Sequence, residues 1–337
     1  MTSQFKFQHL YSVLILFMIA ACNGKKEPAN EVVNPAQKHS VPVKNAEKEF
    51  SPLYRSFDYG LTWQSCGQGL PTGTQISFME MLGNEMVLAT DNEGVFISEN
   101  NRSAWRSIGP ELPNKKINGL HIADGKIYVT VFEAGIYYSS DKGQTWLSLN
   151  YDLSDLRLQT ILKTTDRLLV GGDRGIYALK DGGINWKTIY EGPQVLSFNQ
   201  QEKQIIAGTS QGVLRSADAG ANWKWAHQKG AIHYTALRGD KIFAMYVFNE
   251  LAVSNDWGLS WQEASYGPKE RSYVYEVIKV GDYFIMSNNY GVHRSSDGLH
   301  WNLIYPNEQM IFFDFLVLEN VVYGGMRGWD EFRGRDE

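Results

Sequence analysis

Cysteine and paired metal-ligand patterns are scarce in this sequence. The 337 residues include two cysteines, Cys22 and Cys66, which excludes a disulfide framework. The seven histidines show no paired spacing such as His-x-x-x-His, so we expect no metal site and no cofactor. Lys and Arg total 32 against 37 Asp and Glu, and no basic block interrupts this mildly acidic balance. The chain therefore lacks the electrostatic footprint of a nucleic-acid-binding protein.

The sequence has no apolar run at its start that is long enough to span a bilayer. A run of twelve residues (10–21) follows a short polar segment, and this length is typical of the hydrophobic region of a signal peptide. The run ends in "IAAC", which resembles the lipobox of bacterial lipoproteins. The resemblance implies a lipoprotein signal peptide at 1–21, lipidation of Cys22 and contact with a membrane through that lipid anchor.

The segment that follows is rich in charge and proline and has a single aromatic residue at its end. It cannot bury enough apolar surface to fold, so residues 22–50 are predicted to be a flexible tether. Such a coil holds a domain at 51–337 roughly 30 Å from the membrane. "CNGKKE" has no aspartate after the cysteine, which in lipoprotein sorting favours the outer membrane. We therefore expect an extracytoplasmic protein of a bacterial cell envelope.

Tryptophan is abundant, and seven of the ten tryptophans end a repeated octapeptide. The copies are "SFDYGLTW" (56–63), "SENNRSAW" (98–105), "SSDKGQTW" (139–146), "LKDGGINW" (179–186), "SADAGANW" (216–223), "SNDWGLSW" (254–261) and the shorter "SSDGLHW" (295–301). Successive tryptophans are 42, 41, 40, 37, 38 and 40 residues apart. A period near 40 with strand-like content is typical of the blades of a β-propeller.

Each repeat has the pattern of four short antiparallel strands, with a tight turn after the first and the octapeptide between the third and fourth. The chain begins with a third and fourth strand, "SPLYRSFDYGLTWQS", and ends with a first and second, "IFFDFLVLENVVYGGM". These two fragments make one blade. The fold class predicted is all-β, a seven-bladed propeller in which N-terminal strands complete the C-terminal blade and leave no open sheet edge.

The octapeptide has the composition of a structural turn. An aspartate can accept backbone N–H groups, a glycine supplies a positive φ, and the tryptophan can cover the turn. It resembles the Asp-box, or BNR repeat, of sialidases, sortilin-type receptors, some glycoside hydrolases and photosystem II assembly factors, over residues 54–327. The resemblance implies a structural role, away from the ligand face, for six aspartates. They are Asp58, Asp141, Asp181, Asp218, Asp256 and Asp297.

The face opposite the octapeptides is the predicted ligand face, because loops on a rigid scaffold tend to carry function. The loops between second and third strands and between blades supply its candidate residues. They are Glu93, Glu133, Asp173, Arg174, Glu250, Tyr266, Tyr290, Arg327 and Trp329. Glu250 stands where five other blades have a glycine, and this break in the repeat marks either a site or simple repeat drift.

Two functions from different classes fit these features. A binding or assembly scaffold for a protein or glycan needs no catalytic constellation and suits compact blades on a tether. A glycoside hydrolase, sialidase-like in its repeats, needs two placed carboxyl groups or a tyrosine nucleophile with an acid partner. The Arg-Ile-Pro motif of sialidases is missing, and no catalytic residue can be assigned. Binding is the favoured prediction, with the hydrolase as the alternative and a purely structural surface protein left open.

Overall fold

A computed structural model describes residues 51–99, 104–247, 250–267, 272–307 and 311–327. The predicted signal peptide, Cys22, the tether and Trp329 lie outside the described residues. Within them every regular element is a β-strand, and none of them forms a helix long and apolar enough to cross a membrane.

The described strands form seven four-stranded antiparallel sheets, which we number as blades 1–7 in chain order. Blade 1 consists of β3 (Ile76–Leu82), β4 (Glu85–Thr90), β5 (Val95–Glu99) and β6 (Ala104–Ser107). Blade 2 consists of β7 (Ile117–Ala123), β8 (Lys126–Val131), β9 (Gly135–Ser139) and β10 (Leu147–Ser148). Blade 3 consists of β11 (Leu158–Lys163), β12 (Arg167–Gly172), β13 (Gly175–Lys180) and β14 (Trp186–Glu191). Blades 4 and 5 consist of β15 (Val195–Gln201), β16 (Gln204–Thr209), β17 (Gly212–Ser216), β18 (Lys224–His227); and β19 (Ile232–Arg238), β20 (Lys241–Tyr246), β21 (Leu251–Ser254), β22 (Gln262–Glu263). Blades 6 and 7 consist of β23 (Val274–Val280), β24 (Tyr283–Asn288), β25 (Gly291–Ser295), β26 (Asn302–Pro306); and β27 (Phe312–Leu318), β28 (Val321–Met326), β1 (Leu53–Ser56), β2 (Gln64–Ser65).

The ring closes as the sequence predicts. The first strand of each blade contacts the first strand of the next, from β3 through β7, β11, β15, β19 and β23 to β27, and β27 contacts β3. In blade 7 the N-terminal strand β1 pairs with β28, with Leu53 opposite Gly325 and Ser56 opposite Val322. The protein is therefore a seven-bladed β-propeller, and its innermost strands surround a central channel.

The second strand of each blade explains why the sheets stand side by side. In all seven blades this strand is buried from its second residue onward. Ile127 and Val129 of β8, for example, pack against Val87 and Ile97 of blade 1. A strand covered by neighbouring sheets on both faces reads as a continuous apolar run rather than an alternation. The core is thus a series of layers between adjacent blades.

The repeated octapeptides form the turns between third and fourth strands. Asp141 Oδ1 accepts hydrogen bonds from the Ser139 hydroxyl at 2.8 Å and the Thr145 backbone N–H at 2.9 Å, and Oδ2 accepts the Thr145 hydroxyl at 2.7 Å. These bonds, led by the Thr145 backbone N–H, lower the pKa of Asp141 to about 2. Gly143 supplies the positive φ of 76°. The same bonds recur at Asp58, Asp218, Asp256 and Asp297.

Blade 3 differs from the role expected for Asp181. Leu179 replaces the serine of the other turns, and the Asp181 carboxylate lies 3.0 Å from Lys163 Nζ instead. Asp152, from the loop before the blade, accepts the Trp186 backbone N–H at 2.9 Å and the Asn185 amide at 3.2 Å. Asp152 therefore accepts hydrogen bonds from the last two residues of the blade 3 octapeptide, whereas the octapeptide aspartates of five other blades accept the backbone N–H of the residue before the tryptophan.

Candidate functional site

One end of the propeller is formed by loops that differ from blade to blade. We call it the loop face, made of the segments between second and third strands and between consecutive blades. The loop after Val131 turns at this end, and the octapeptide after Ser139 lies at the other end of the same antiparallel pair. The predicted ligand-face residues can therefore be located on it one by one.

Two predicted carboxylates are held in ion pairs by residues of neighbouring loops. Glu93 lies 3.2 Å from Lys115 Nζ, and the Lys115 side chain is two-thirds exposed. Asp173 lies 3.1 Å from Arg157, which also contacts Asp155 at 3.1 Å. Each pair joins a loop within a blade to a loop between blades. These pairs place opposite charges side by side at the solvent surface.

Arg327 lies where blade 7 meets blade 1. Its guanidinium is 2.9 Å from the Asp91 carboxylate and stands 4.6 Å above the Phe313 ring. Phe313 in turn lies 5.7 Å from the Tyr275 ring, on the neighbouring first strand. Lys116 reaches the same Asp91 carboxylate at 3.5 Å, so two cations share one anion. This part of the loop face carries a local excess of positive charge beside aromatic rings.

The remaining predicted residues divide into exposed and covered ones. Glu133 and Arg174 are exposed, and Glu133 has a positive φ of 54°. Tyr290 is half-buried and its backbone N–H donates to Asn288 at 2.9 Å. Tyr266 departs from the expectation, because it is 3% exposed within the apolar core between blades 5 and 6, and burial raises its pKa to about 12. It presents no surface to a ligand.

Glu250 borders a cavity between blades 4 and 5, which we call the blade 4–5 pocket. The cavity has a volume of about 160 Å³ and is lined by Lys229, Gly230, Ala231, Tyr246 and Glu250. Lys229 Nζ lies 2.5 Å from Glu250 Oε2 and 5.6 Å from the centre of the Tyr246 ring. Tyr246 is 6% exposed, and its hydroxyl has no hydrogen-bond partner among the described residues. Burial, reinforced by the Glu250 charge, raises the pKa of Tyr246 above its usual range.

A shorter fourth strand makes room for Glu250. In blades 3, 4 and 6 the corresponding glycines have φ of 124°, 146° and 132°, and an added Cβ would lie 2.0 Å from a carbonyl oxygen at the end of the fourth strand. In blade 5 the fourth strand has only two residues, and its pairing stops at the level of Leu251. The short fourth strand, which blade 2 shares while keeping Gly135, therefore leaves space for a side chain at Glu250 beside the pocket.

A cluster of buried charges in the channel was not predicted from the sequence. Glu276 and Asp314 are the third residues of β23 and β27 and are 2% and 8% exposed. Arg238, at the end of β19, lies 2.9 Å from Glu276, and the Met79 backbone N–H donates to Asp314. Asp314 Oδ2 has no hydrogen-bond partner among the described residues. Burial raises the pKa of both carboxyls, and the nearby Glu276 charge raises that of Asp314 further.

The sequence does carry a signal for this cluster. An acidic residue interrupts the apolar first strands "VYEVIKV" and "FFDFLVL" at the same position in neighbouring blades. Innermost strands that face one another bring such residues together. The described residues contain no group of three or more histidine, cysteine or acidic side chains placed to hold a metal ion.

Comparison with known proteins gives relatives in structure alone. No protein-family model and no curated protein matches the sequence. Among solved structures, the extracellular domain of the putative one component system BT4673 from B. thetaiotaomicron superposes with a TM-score of 0.63 at 12% identity, over 77% of this chain and 38% of that one. YCF48 bound to D1 peptide superposes with a TM-score of 0.60 at 15% identity, over 82% of this chain and 97% of that one. A GH74 enzyme of Niastella koreensis superposes with a TM-score of 0.56 at 15% identity, over 75% of this chain and 43% of that one.

The chain thus spans less than half of the length of the BT4673 domain and of the GH74 enzyme. At these identities the likeness establishes the propeller fold. The neighbours include an extracellular domain, a peptide-bound protein and an enzyme, so one scaffold serves several kinds of function.

Proposed function

We propose that this protein is a lipid-anchored, extracytoplasmic β-propeller that binds a protein or glycan of the cell envelope on its loop face. The observation that carries the proposal is the contrast between the two ends of the propeller. At one end the octapeptide turns repeat the same bonds. At the other end each blade presents a different set of charged and aromatic side chains.

The octapeptide end has little hydrogen-bonding capacity left for a ligand. In the turn of Asp141 both carboxylate oxygens accept bonds from the turn itself. A partner would have to compete with these internal bonds, which hold the turn in shape. This end is therefore suited to a structural role.

The loop face has the opposite character. Its ion pairs are partly exposed, as at Lys115 and Glu93 or Lys229 and Glu250. Pairs of this kind contribute little to stability, so one partner can be exchanged for a ligand group at small cost. A rigid ring that carries variable loops is a common arrangement for binding sites. The peptide-bound YCF48 structure is consistent with this use of the fold.

The alternative, a glycoside hydrolase, needs two carboxyl groups that reach a bound sugar. Glu276 and Asp314 are neighbours, but both are buried between innermost strands. On the described loop face, Glu93, Asp173 and Glu250 each contact a cation. Binding is therefore the function that this geometry supports best.

Affinity capture with the full-length chain tests the proposal. The bait is immobilised and exposed to detergent extracts of the source cell's envelope, and retained proteins and glycans are quantified. A double variant of the loop face, Lys115→Glu with Arg174→Glu, is compared with a charge-matched double variant of the octapeptide end, Lys142→Glu with Lys180→Glu. We expect a near-stoichiometric component that the first variant loses and the second retains. Retention of nothing, or loss only in the second variant, would contradict the proposal.

The anchor is tested separately. We expect the wild-type protein to sediment with membranes and to incorporate radiolabelled fatty acid, and the Cys22→Ser variant to do neither. A Cys22→Ser variant that stays with the membrane and is processed normally would overturn the lipid anchor without affecting the binding proposal.

A further inference from the structure

We infer that the blade 4–5 pocket binds a single neutral sugar residue of a glycan. This inference rests on the proposed binding function and specifies its ligand at one site. The pocket combines a cavity, a charged pair at its edge and a buried hydroxyl group with free hydrogen-bonding capacity. Each of these features limits what can bind.

The buried hydroxyl calls for a polar group from outside. Tyr246 is 6% exposed and its Oη has no partner among the described residues. Nearly all buried polar atoms in proteins are hydrogen-bonded, and leaving one unpaired costs about 1–3 kcal/mol. Tyr246 lines the cavity, but its Oη is enclosed by protein in the free structure, so a ligand group in the cavity supplies the missing bond once the side chain shifts towards it. A hydroxyl can do so as either donor or acceptor.

The charged pair favours a ligand without net charge. Lys229 Nζ and Glu250 Oε2 are 2.5 Å apart, so any cation that approaches the carboxylate also meets the ammonium. An anion that approaches the ammonium meets the carboxylate in the same way. A hydroxyl avoids both problems, since it can donate to Glu250 and accept from Lys229. Neighbouring hydroxyls on one ring satisfy the pair together, as the vicinal hydroxyls of a sugar do.

The dimensions fit one edge of a ring. A cavity of about 150 Å³ accepts benzene, which has about half the heavy atoms of a hexose, so the blade 4–5 pocket of about 160 Å³ holds one edge of a sugar ring. Lys229 at its edge is half-exposed, so the pocket opens to solvent on the loop face. A sugar residue can therefore enter with one edge while the rest of a glycan extends over the loops. The Tyr246 ring, set edge-on to His227 at 6.2 Å, forms a fixed apolar wall.

The experiment measures binding of simple methyl glycosides to the full-length protein by saturation-transfer NMR and calorimetry. The neutral probes are the methyl glycosides of glucose, galactose, mannose and N-acetylglucosamine. Methyl glucuronide and glucosamine serve as charged counterparts of the same ring, and free glycine serves as a zwitterion. We expect saturable binding of at least one neutral probe and weaker binding of the charged ones.

Two variants locate the site. Tyr246→Phe removes one oxygen, and we expect it to raise the Kd of the bound probe about tenfold, the effect of one lost buried hydrogen bond. Glu250→Gly restores the residue of the other blades, and we expect it to abolish measurable binding. Glu99→Gln is the matched control, because it breaks an exposed ion pair with Arg106 that lies on neither the loop face nor this pocket, and it should leave the Kd unchanged.

Three results would overturn the inference: no saturable binding of any neutral probe, tighter binding of a charged probe or glycine, or binding that survives both pocket variants. Envelope capture that still succeeds in the Tyr246→Phe and Glu250→Gly variants, together with no sugar binding, would leave the proposed function standing and remove only this site. Failure of capture with intact sugar binding would remove the proposed capture of an envelope component and leave this sugar site standing.

Discussion

Asp152 accepts a hydrogen bond from the backbone N–H of Trp186 at 2.9 Å, although the two residues are 34 positions apart. The aspartate belongs to the loop that leads into blade 3, and the tryptophan opens the last strand of that blade. In five other blades the aspartate of the octapeptide instead accepts the N–H of the residue before the tryptophan, from within the turn. In blade 3 the hydrogen bonds at the tryptophan end of the turn are therefore accepted by a residue from the preceding loop.

The two aspartates of blade 3 should respond differently to substitution. We expect Asp152→Ala to lower the urea midpoint of unfolding more than Asp181→Ala, because only the first removes the acceptor of the Trp186 N–H. The Asp181→Ala variant loses an ion pair with Lys163, but Lys163, which is 8% exposed, also lies 3.7 Å from Asp124 and so keeps a second anionic neighbour. Unfolding followed by tryptophan fluorescence measures both midpoints. Equal shifts of the two midpoints would mean that Asp152 contributes no more to the stability of the blade 3 turn than Asp181 does.

Glycines at the start of third strands should be far less replaceable than glycines in open turns. At Gly175 an added Cβ would lie 2.0 Å from the Tyr190 carbonyl oxygen, whereas at Gly182 it would meet nothing within 4 Å. Both have positive φ, which alone costs an alanine about 1–2 kcal/mol. We expect Gly182→Ala to show about that loss in the free energy of unfolding and Gly175→Ala at least about 3 kcal/mol. Similar losses would mean that the fourth strand moves aside freely.

The fold could be predicted because its signals are local and repeated. Each blade carries its own turn residues and apolar runs within about 40 residues, and the incomplete units at the two ends indicate how the ring closes. The roles of single residues depend on contacts that no local pattern contains. Glu250 could be singled out as irregular, but its partner Lys229 lies in the loop that leads into the blade, 21 residues earlier.

The sequence also did not reveal which polar residues are buried. Tyr266 is of a residue type common on ligand faces, yet its ring packs in the core. Glu276 and Asp314 are acidic residues, which usually lie at the surface, but the ring closure places them between innermost strands. Whether a polar residue is covered depends on the positions of neighbouring blades, and strand periodicity within one blade does not contain that information.

The buried carboxyls should make stability depend on pH. Burial raises the pKa of Glu276 to about 7 and also raises that of Asp314. A carboxyl with a raised folded-state pKa binds its proton more tightly when folded, so its contribution is complete below about pH 4 and is lost as the pH rises towards 7. We expect Asp314→Asn to raise the free energy of unfolding at pH 7.5 and to flatten its decline between pH 5 and 7.5.

Urea unfolding at pH 5 and pH 7.5 measures this effect. Glu99→Gln is the control, because Glu99 makes an exposed pair with Arg106 and should leave the difference between the two pH values unchanged. An Asp314→Asn variant that is less stable at pH 7.5 would show that the folded protein favours the ionised carboxyl. A variant that keeps the full pH dependence would show that Asp314 does not cause it.

Tyr246 should show opposite effects on stability and on binding. In the free protein its buried hydroxyl has no partner among the described residues, so its removal relieves a desolvation cost while the ring still fills its space. We expect Tyr246→Phe to raise the free energy of unfolding by up to about 1 kcal/mol in the absence of a glycan, measured by urea denaturation. At saturating sugar the order reverses, because a ligand stabilises a folded protein by RT ln(1 + [L]/Kd) and a tenfold larger Kd removes about 1.4 kcal/mol of that stabilisation from the variant. A Tyr246→Phe variant that is destabilised without ligand would mean that the hydroxyl is already bonded within the folded chain, and the pocket would then have no polar group waiting for a sugar.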